Sequence, residues 1–333
     1  MPVRHLQRDV FVDPGIAGEV HGPEAAAADR GEDFVLADKL SAEKHPGASI
    51  PNSEFGIQNS EFAECSLSFR IPNSEFRIPN CPYNPPSVHR FFAPALDAGD
   101  ETVVLPRHEA EHLRRVLRIG VGDTVSVFDG RGHEFLARVA SIVRRDVRLQ
   151  VLARVEPPPE PAVDLTLVQA VLKGDKMDDV VRDAVMLGVA AIQPIVTKRS
   201  EATVATLLKS ARVDRWRRVA LASVKQSRRA VLPEVRMPLT LDTFLDEPPA
   251  SLRLMLVEPA AGADVEPLSI FRAGAIPTDG AVLIGPEGGW TEQEWNAAKS
   301  AGVRLVTLGH RTLRADAVPI AAIAVLQFLW GDL

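Results

Sequence analysis

The chain has 333 residues, of which 46% are hydrophobic and 25% charged, a composition that excludes wholesale disorder and has room for about two domains. The formal net charge of −6 lies entirely in the first 87 residues, where 7 Lys and Arg face 13 Asp and Glu, leaving 31 of each from Val88 onward. Both cysteines, Cys65 and Cys81, fall in the same segment. The rest of the chain therefore has no disulfide, thiolate zinc site or cysteine nucleophile, which fits a reducing cytoplasm, and no metal is expected.

The N-terminus lacks the basic start and apolar core of a secretory signal. Further along, the same segment repeats itself: Ile50–Phe62 and Phe69–Asn80 share the unit EFRIPNS. A period of seven invites a coiled coil, but the Pro in the unit forbids a continuous helix. A tandem seven-nucleotide unit, GAATTCC, read in triplets yields Glu-Phe-Arg-Ile-Pro-Asn-Ser, so the segment is read as translated repeat DNA. Residues 1–87 are expected to be disordered or not made.

Residues 88–156 read as a small β-barrel-like domain. Thr124–Asp129, His133–Ala140 and Val147–Val155 have strand character, and Asp129–Gly132 is a turn between the first two. One helix, His108–Arg118, interrupts them, its end marked by Gly120. The domain holds 11 arginines and no lysine. Arg114, Arg115 and Arg118 on the helix suit bidentate phosphate contact.

The Pro-rich stretch 157–161 is read as a stiff linker, and 162–333 as the second domain. Here apolar strands alternate with helices: Val163–Val171, then a helix over Lys176–Gly188, then AAIQPIV, SLRLMLVE, GAVLIG and VRLVTLG. This pattern implies a parallel sheet covered on both faces, with ligands held beyond the C-terminal strand ends. From Lys198 to Arg229 there are 10 Lys and Arg but only 2 acids, more than solubility needs, so nucleic acid is the expected partner. Ala317–Trp330 is apolar but only 14 residues long, too short to span a bilayer, and reads as a buried helix.

Two loops carry the chemistry, and they are expected on adjacent strands. GPEGGW (Gly285–Trp290) precedes a capping box formed by Thr291 and Glu294; its glycines let the backbone approach a ligand. LGHRTLRAD (Leu308–Asp316) precedes the last helix. Neither matches a nucleoside triphosphate or dinucleotide motif.

His89–Pro94, His112–Asp123, VFDGRG, Lys173–Asp179, Leu187–Val189, the KQSRR segment, IGPEGGW and LGHRTLR, in this order, resemble the 16S ribosomal RNA uracil-N3 methyltransferase family of the knotted SPOUT superfamily. The resemblance covers essentially all of 88–333. It implies a PUA-like β domain followed by an α/β domain with a C-terminal trefoil knot, S-adenosyl-L-methionine as cofactor, and a homodimer acting on 16S rRNA of the small ribosomal subunit. By position, Ile284, Gly285, Pro286, Glu287, Gly288 and Gly289 form one wall of the cofactor pocket and Leu308, Gly309 and Leu313 the other. RNA contacts are expected from Arg90, Arg114, Arg115, Arg118, Arg215, Arg217, Arg218, Gln226 and Arg229. The chain departs from the family at Asp183, Met186, Lys225 and Asp316–Val318. Uracil N3 must lose a proton, so Arg314 is the candidate for stabilising the developing charge and Asp316 for taking or orienting the proton. The alternatives are a SPOUT methyltransferase with another RNA target, a ribose 2′-hydroxyl or a tRNA base, and a catalytically silent RNA-binding module.

The family pattern also sets the initiator two residues before Arg90. A GTG start read as an internal codon gives valine, so the native protein is expected to begin at or near Val88. Mass spectrometry of the native protein tests this, and peptides covering EFRIPNS would sink it.

Overall fold

The computed structural model describes residues 88–259 and 265–333. The EFRIPNS repeats, and the disorder expected for 1–87, lie outside the described residues.

The first domain opens with β1 (Arg90–Phe92) and β2 (Thr102–Val104). Then come α1 (Arg107–Glu111), a π-helical turn over His112–Val116, β3 (Thr124–Phe128), β4 (Glu134–Val143) and β5 (Asp146–Val155). The sheet order is β1-β3-β4-β5-β2, with β1 parallel to β3 and the other pairs antiparallel. Alternation sets the faces: Val147 and Leu149 of β5 are buried while Arg148 and Gln150 point to solvent. The inner face packs on Phe91, Leu96, Leu113 and Val127.

The single helix expected over His108–Arg118 is instead α1 followed by a wider turn. Leu117 N–H donates to His112 O at 3.1 Å, an i to i−5 bond. The extra residue per turn sets both Leu113 and Leu117 against the domain core. The helical stretch also ends at Val116, two residues short of the expected Arg118, whose φ is +54°.

The second domain is laid out as β6 (Asp164–Ala170), α2 (Lys176–Met186), β7 (Ala191–Val196), α3 (Val204–Lys209) and α4 (Arg212–Ser227). Next are β8 (Glu234–Val235), β9 (Leu239–Thr240), α5 (Leu241–Leu245), β10 (Leu252–Leu256) and β11 (Glu266–Pro267). A 3-10 turn (Leu268–Ala273) leads to β12 (Asp279–Ile284), α6 (Glu292–Ser300), β13 (Arg304–Thr307) and α7 (Val318–Trp330). All strands are parallel, in the order β11-β13-β10-β12-β6-β7-β8, with β9 also paired to β7.

Both faces of this sheet are covered. Met177, Val180, Val181, Ala184 and Val185 of α2 fall at helical spacing and join Trp216, Val224, Ile323 and Leu326 in one core. Leu241, Phe244, Ala298 and Trp290 fill the opposite face. Among the described residues no helix is long and apolar enough to cross a membrane. Nor, among them, does any group of three or more His, Cys, Asp or Glu stand together as a metal site.

The two domains are locked together rather than merely tethered. The Arg90 guanidinium forks onto Glu134 at 2.9 and 2.8 Å and donates to the carbonyls of Val224, Lys225 and Arg229 at 2.9–3.1 Å. Lys225 Nζ meets both Glu109 oxygens at 2.6 and 2.7 Å. Backbone joins backbone as Leu232 N–H donates to Gly130 O at 2.9 Å. Gly130 has φ +79°, and a Cβ there would lie 2.8 Å from the Phe92 ring. The Pro-rich linker is anchored as well, through Glu160 to Arg229.

Candidate active site

A cleft of about 590 Å³ opens at the C-terminal ends of β10, β12 and β13, where open parallel sheets bind ligands. The loops after β12 and β13 both line it. They are not on adjacent strands: β10 runs between β12 and β13. The residues at the end of β10 and just beyond it, Leu256, Val257, Glu258 and Pro259, therefore make a third wall between the two expected ones.

The loop after β12 is held from several sides. Trp290 Nε1 donates to Leu256 O at 2.8 Å. A Cβ on Gly285 would stand 3.1 Å from the same indole. Gly289 has φ +67°, in the left-handed region, and donates its N–H to Pro286 O at 2.9 Å. Thr291 and Glu294 form the expected capping box, and Glu294 also accepts the N–H of Lys198 at 2.8 Å. These contacts brace the loop from within the protein.

Glu287 reaches across to α2. It accepts from Lys176 Nζ at 2.9 Å and from Lys173 N–H at 3.2 Å. Burial works against its charge, but these hydrogen bonds outweigh that and hold its carboxyl below the ordinary range. Arg314 binds Asp316 with a fork of 3.0 and 2.9 Å. That hydrogen bond, then the charges of Arg314 and Lys176, hold the Asp316 carboxyl low too. A lowered carboxyl contributes above its unfolded pKa and loses its contribution as pH falls through its folded one. Both pairs are therefore complete at neutral pH and are lost only on acidification.

Of the expected wall residues, Ile284, Gly285, Pro286, Glu287, Gly289, Leu308 and Leu313 line the cleft, as do Arg314 and Asp316. Gly288 and Gly309 do not. Gly288 turns under Arg199, which donates to its carbonyl at 2.6 Å, and Gly309 shapes its turn with φ +115°. Asp316 does not cap α7: the N-cap is Ala317, with no side-chain cap bond. Several lining residues escaped the sequence, among them Lys176, Arg199, Leu256, Val257, Glu258, Pro259 and Trp295. Glu258 was within reach of the strand-end rule, since it comes directly after the apolar run of β10.

The residues expected to hold RNA separate into two groups. Arg90 and Arg229 do not face outward: Arg229 is buried, the Arg90 side chain is 9% exposed, and both serve the domain junction. Arg229 is spent on Glu160 and on the carbonyls of Val185 and Val189, at 2.7 and 3.1 Å. Arg114, Arg115, Arg118, Arg215, Arg217, Arg218 and Gln226 lie at the surface or partly so. Arg215 faces Asp175 and Asp178 of the α2 start at 3.1 and 2.5 Å, and Arg217 faces Asp214 at 3.4 Å. The basic run is thus partly neutralised.

Two family models match, an RNA methyltransferase domain over residues 158–327 and an RNA methyltransferase PUA domain over 105–152. The chain is 33% identical over 238 residues to ribosomal RNA small subunit methyltransferase E of Synechocystis, covering 69% of this chain and 74% of that protein. The namesake from Aquifex aeolicus is 27% identical over 233 residues, covering 68% and 93%. The crystal structure of the Neisseria gonorrhoeae enzyme of that name, bound to S-adenosyl methionine, aligns with TM-score 0.66 at 33% identity, covering 74% of this chain and 99% of that one. The α/β domain with its parallel sheet, the PUA domain ahead of it and the loop-lined cleft are thus those of an RNA-modifying enzyme, and the chain belongs to the ribosomal RNA small subunit methyltransferase E family of RNA methyltransferases.

Proposed function

We propose that the protein transfers a methyl group from S-adenosyl-L-methionine to N3 of a specific uridine in 16S rRNA of the small ribosomal subunit. The observation that carries this is the three-walled cleft with the Arg314–Asp316 pair at its mouth. The residues present suit the cofactor. Leu256, Ile284, Leu308 and Val318 offer apolar surface for an adenine, and Gly285 and Gly289 present bare backbone. Trp295 Nε1, in the same lining, is buried with no hydrogen-bond partner. Such an orphaned donor invites a ligand acceptor. Glu258, Glu287 and Asp316 give the cleft an acidic rim suited to a sulfonium cation.

When bound, the cofactor supplies an electrophilic methyl whose leaving group departs neutral and needs no acid. The protein's task is then to aim the uracil and manage one proton. Uracil N3 is protonated at neutral pH, and its anion spreads charge onto the flanking carbonyl oxygens. Arg314 is exposed and held in plane by Asp316, ready to face that charge. Asp316, kept ionised, accepts or orients the N3 proton. Lys176 is paired to Glu287 across the same mouth. Isothermal titration with S-adenosyl-L-methionine, then nucleoside analysis of methylated RNA, tests the proposal. Saturable binding and 3-methyluridine are expected. A ribose methyl or a methylated tRNA base would reassign the target, and no cofactor binding would favour a silent RNA-binding module.

The reading includes a homodimer. One face of α7 carries Ile320, Val325 and Phe328 exposed at 41%, 37% and 61%. An apolar stripe of this kind on a helix that starts two residues after Asp316 is suited to a two-fold contact that braces the site. A dimeric mass at micromolar concentration is expected by light scattering, and a monomeric one counts against it. The reading also takes the chain after β13 to be threaded as a knot, as the resemblance to the family implies. It sets the protein's work in the cytoplasm, where ribosomal subunits assemble.

A further inference from the structure

Among the described residues, three that are not glycine hold a left-handed backbone, and all three are arginines: Arg118 at φ +54°, Arg144 at φ +53° and Arg228 at φ +64°. This conformation carries a steric cost for any residue with a Cβ, and glycine avoids it. All three are exposed, and none of their guanidiniums is satisfied by a hydrogen bond or ion pair. A long cationic side chain at such a position with no internal partner has its head free to meet an anion outside.

Two of the three belong to one surface. Arg118 follows the π-helical turn, two residues past its end at Val116, and Arg144 lies in the turn between β4 and β5. They are fastened together because Arg114, from the π-helical turn, donates to Arg144 O. Arg115 and Arg145 adjoin them along the chain, exposed and without acid partners. The carboxylate next to the turn, Asp146, pairs with none of them. Val116 and Val143, exposed at 65% and 62%, lie between the charges. Arginine is the sole cation of this domain apart from histidine, since 88–156 has no lysine. Planar guanidinium forks match phosphate oxygens in pairs, which a lysine ammonium does not.

We propose that the end of the π-helical turn and the β4–β5 turn form one grip on the sugar–phosphate backbone of the RNA substrate. The grip is centred on Arg118 and Arg144, with Val116 and Val143 against the sugars. It extends the surface expected from the helix alone to the hairpin, and it rests on the reading of rRNA as substrate.

The test uses the full chain carrying Arg118→Gly and Arg144→Gly. Glycine removes the charge and relieves the backbone, so a purely structural role and an RNA role predict different outcomes. Binding of a fluorescent small-subunit rRNA fragment is measured across a salt series, with thermal melting and cofactor calorimetry in parallel. RNA affinity should fall on the order of tenfold and the salt slope flatten by about 1.5, as expected for two lost phosphate contacts. The melting temperature should hold or rise, and cofactor affinity should not change. Arg118→Lys with Arg144→Lys should keep the salt slope while losing part of the affinity. Unchanged RNA affinity and slope in the glycine variant would overturn the proposal. So would equal affinity for a polyglutamate peptide of matched charge, which would point to an acidic protein partner. Should the wild-type chain bind RNA through these arginines yet neither bind cofactor nor methylate, the methyltransferase reading fails and the grip stands.

Discussion

Arg314→Ala is expected to slow single-turnover methyl transfer by about 100-fold or more, while cofactor affinity stays within about twofold. The reason is placement. Arg314 sits at the mouth of the cleft with three-quarters of its side chain exposed, whereas the floor is made by Leu256, Ile284 and the glycine backbone. A group at the mouth meets the incoming base more than the cofactor beneath it. Its fork with Asp316 fixes the guanidinium plane before substrate arrives, so little reorganisation is left for the reaction. Asp316→Asn keeps the size but removes the proton acceptor and frees Arg314; a smaller loss is expected there. The measurement is rapid-quench methylation at saturating cofactor, beside calorimetric titration of each variant. If Arg314→Ala weakens cofactor binding and leaves the transfer step intact, Arg314 belongs to the pocket wall and the catalytic assignment fails.

The second large effect is on stability. Glu134→Ala is expected to cost about 3 kcal/mol, because it strands a buried guanidinium. Arg90 and Glu134 have side chains only 9% and 8% exposed. Glu134 takes the fork from Arg90 and also the hydroxyl of Ser126. Without it Arg90 keeps its three carbonyl acceptors but loses its counter-charge. For a unit of this size the melting temperature should drop by roughly 5–10 °C. Glu134→Gln, which keeps hydrogen bonding without charge, should fall between. A loss below about 1 kcal/mol in chemical denaturation would mean that the carbonyl cage alone satisfies Arg90.

Local pattern carried much of this architecture. The apolar strands β6, β7, β10, β12 and β13 and the helix α2 were legible, because their burial repeats at short range along the chain. The two cleft-lining loops were legible for a similar reason, since glycines and a capping box are written into consecutive residues. The order of strands was not. That β10 separates β12 from β13 is decided by pairing between distant segments, which left Glu258 and Pro259 out of the expected site. That Arg90 and Arg229 face inward was hidden for the same reason: the acids that meet them are distant, Glu134 at 44 residues' separation and Glu160 at 69. The left-handed arginines were invisible because composition marks such positions by glycine.

The locked junction between the domains turns the protein into a gauge. Arg90 reaches three carbonyls at the end of α4, Lys225 closes on Glu109, and Gly130 leaves no room for a side chain beside Phe92. A hinge there would let the β domain track any RNA that carried a uridine. On the proposed reading of rRNA as substrate and the arginines as its grip, such a junction sets the span between the grip and the mouth of the cleft, so an RNA fits only if its own fold presents phosphates and target base at that span. Discrimination among thousands of chemically identical uridines then falls to the architecture of the substrate, and an unstructured RNA of the same sequence makes a poor fit.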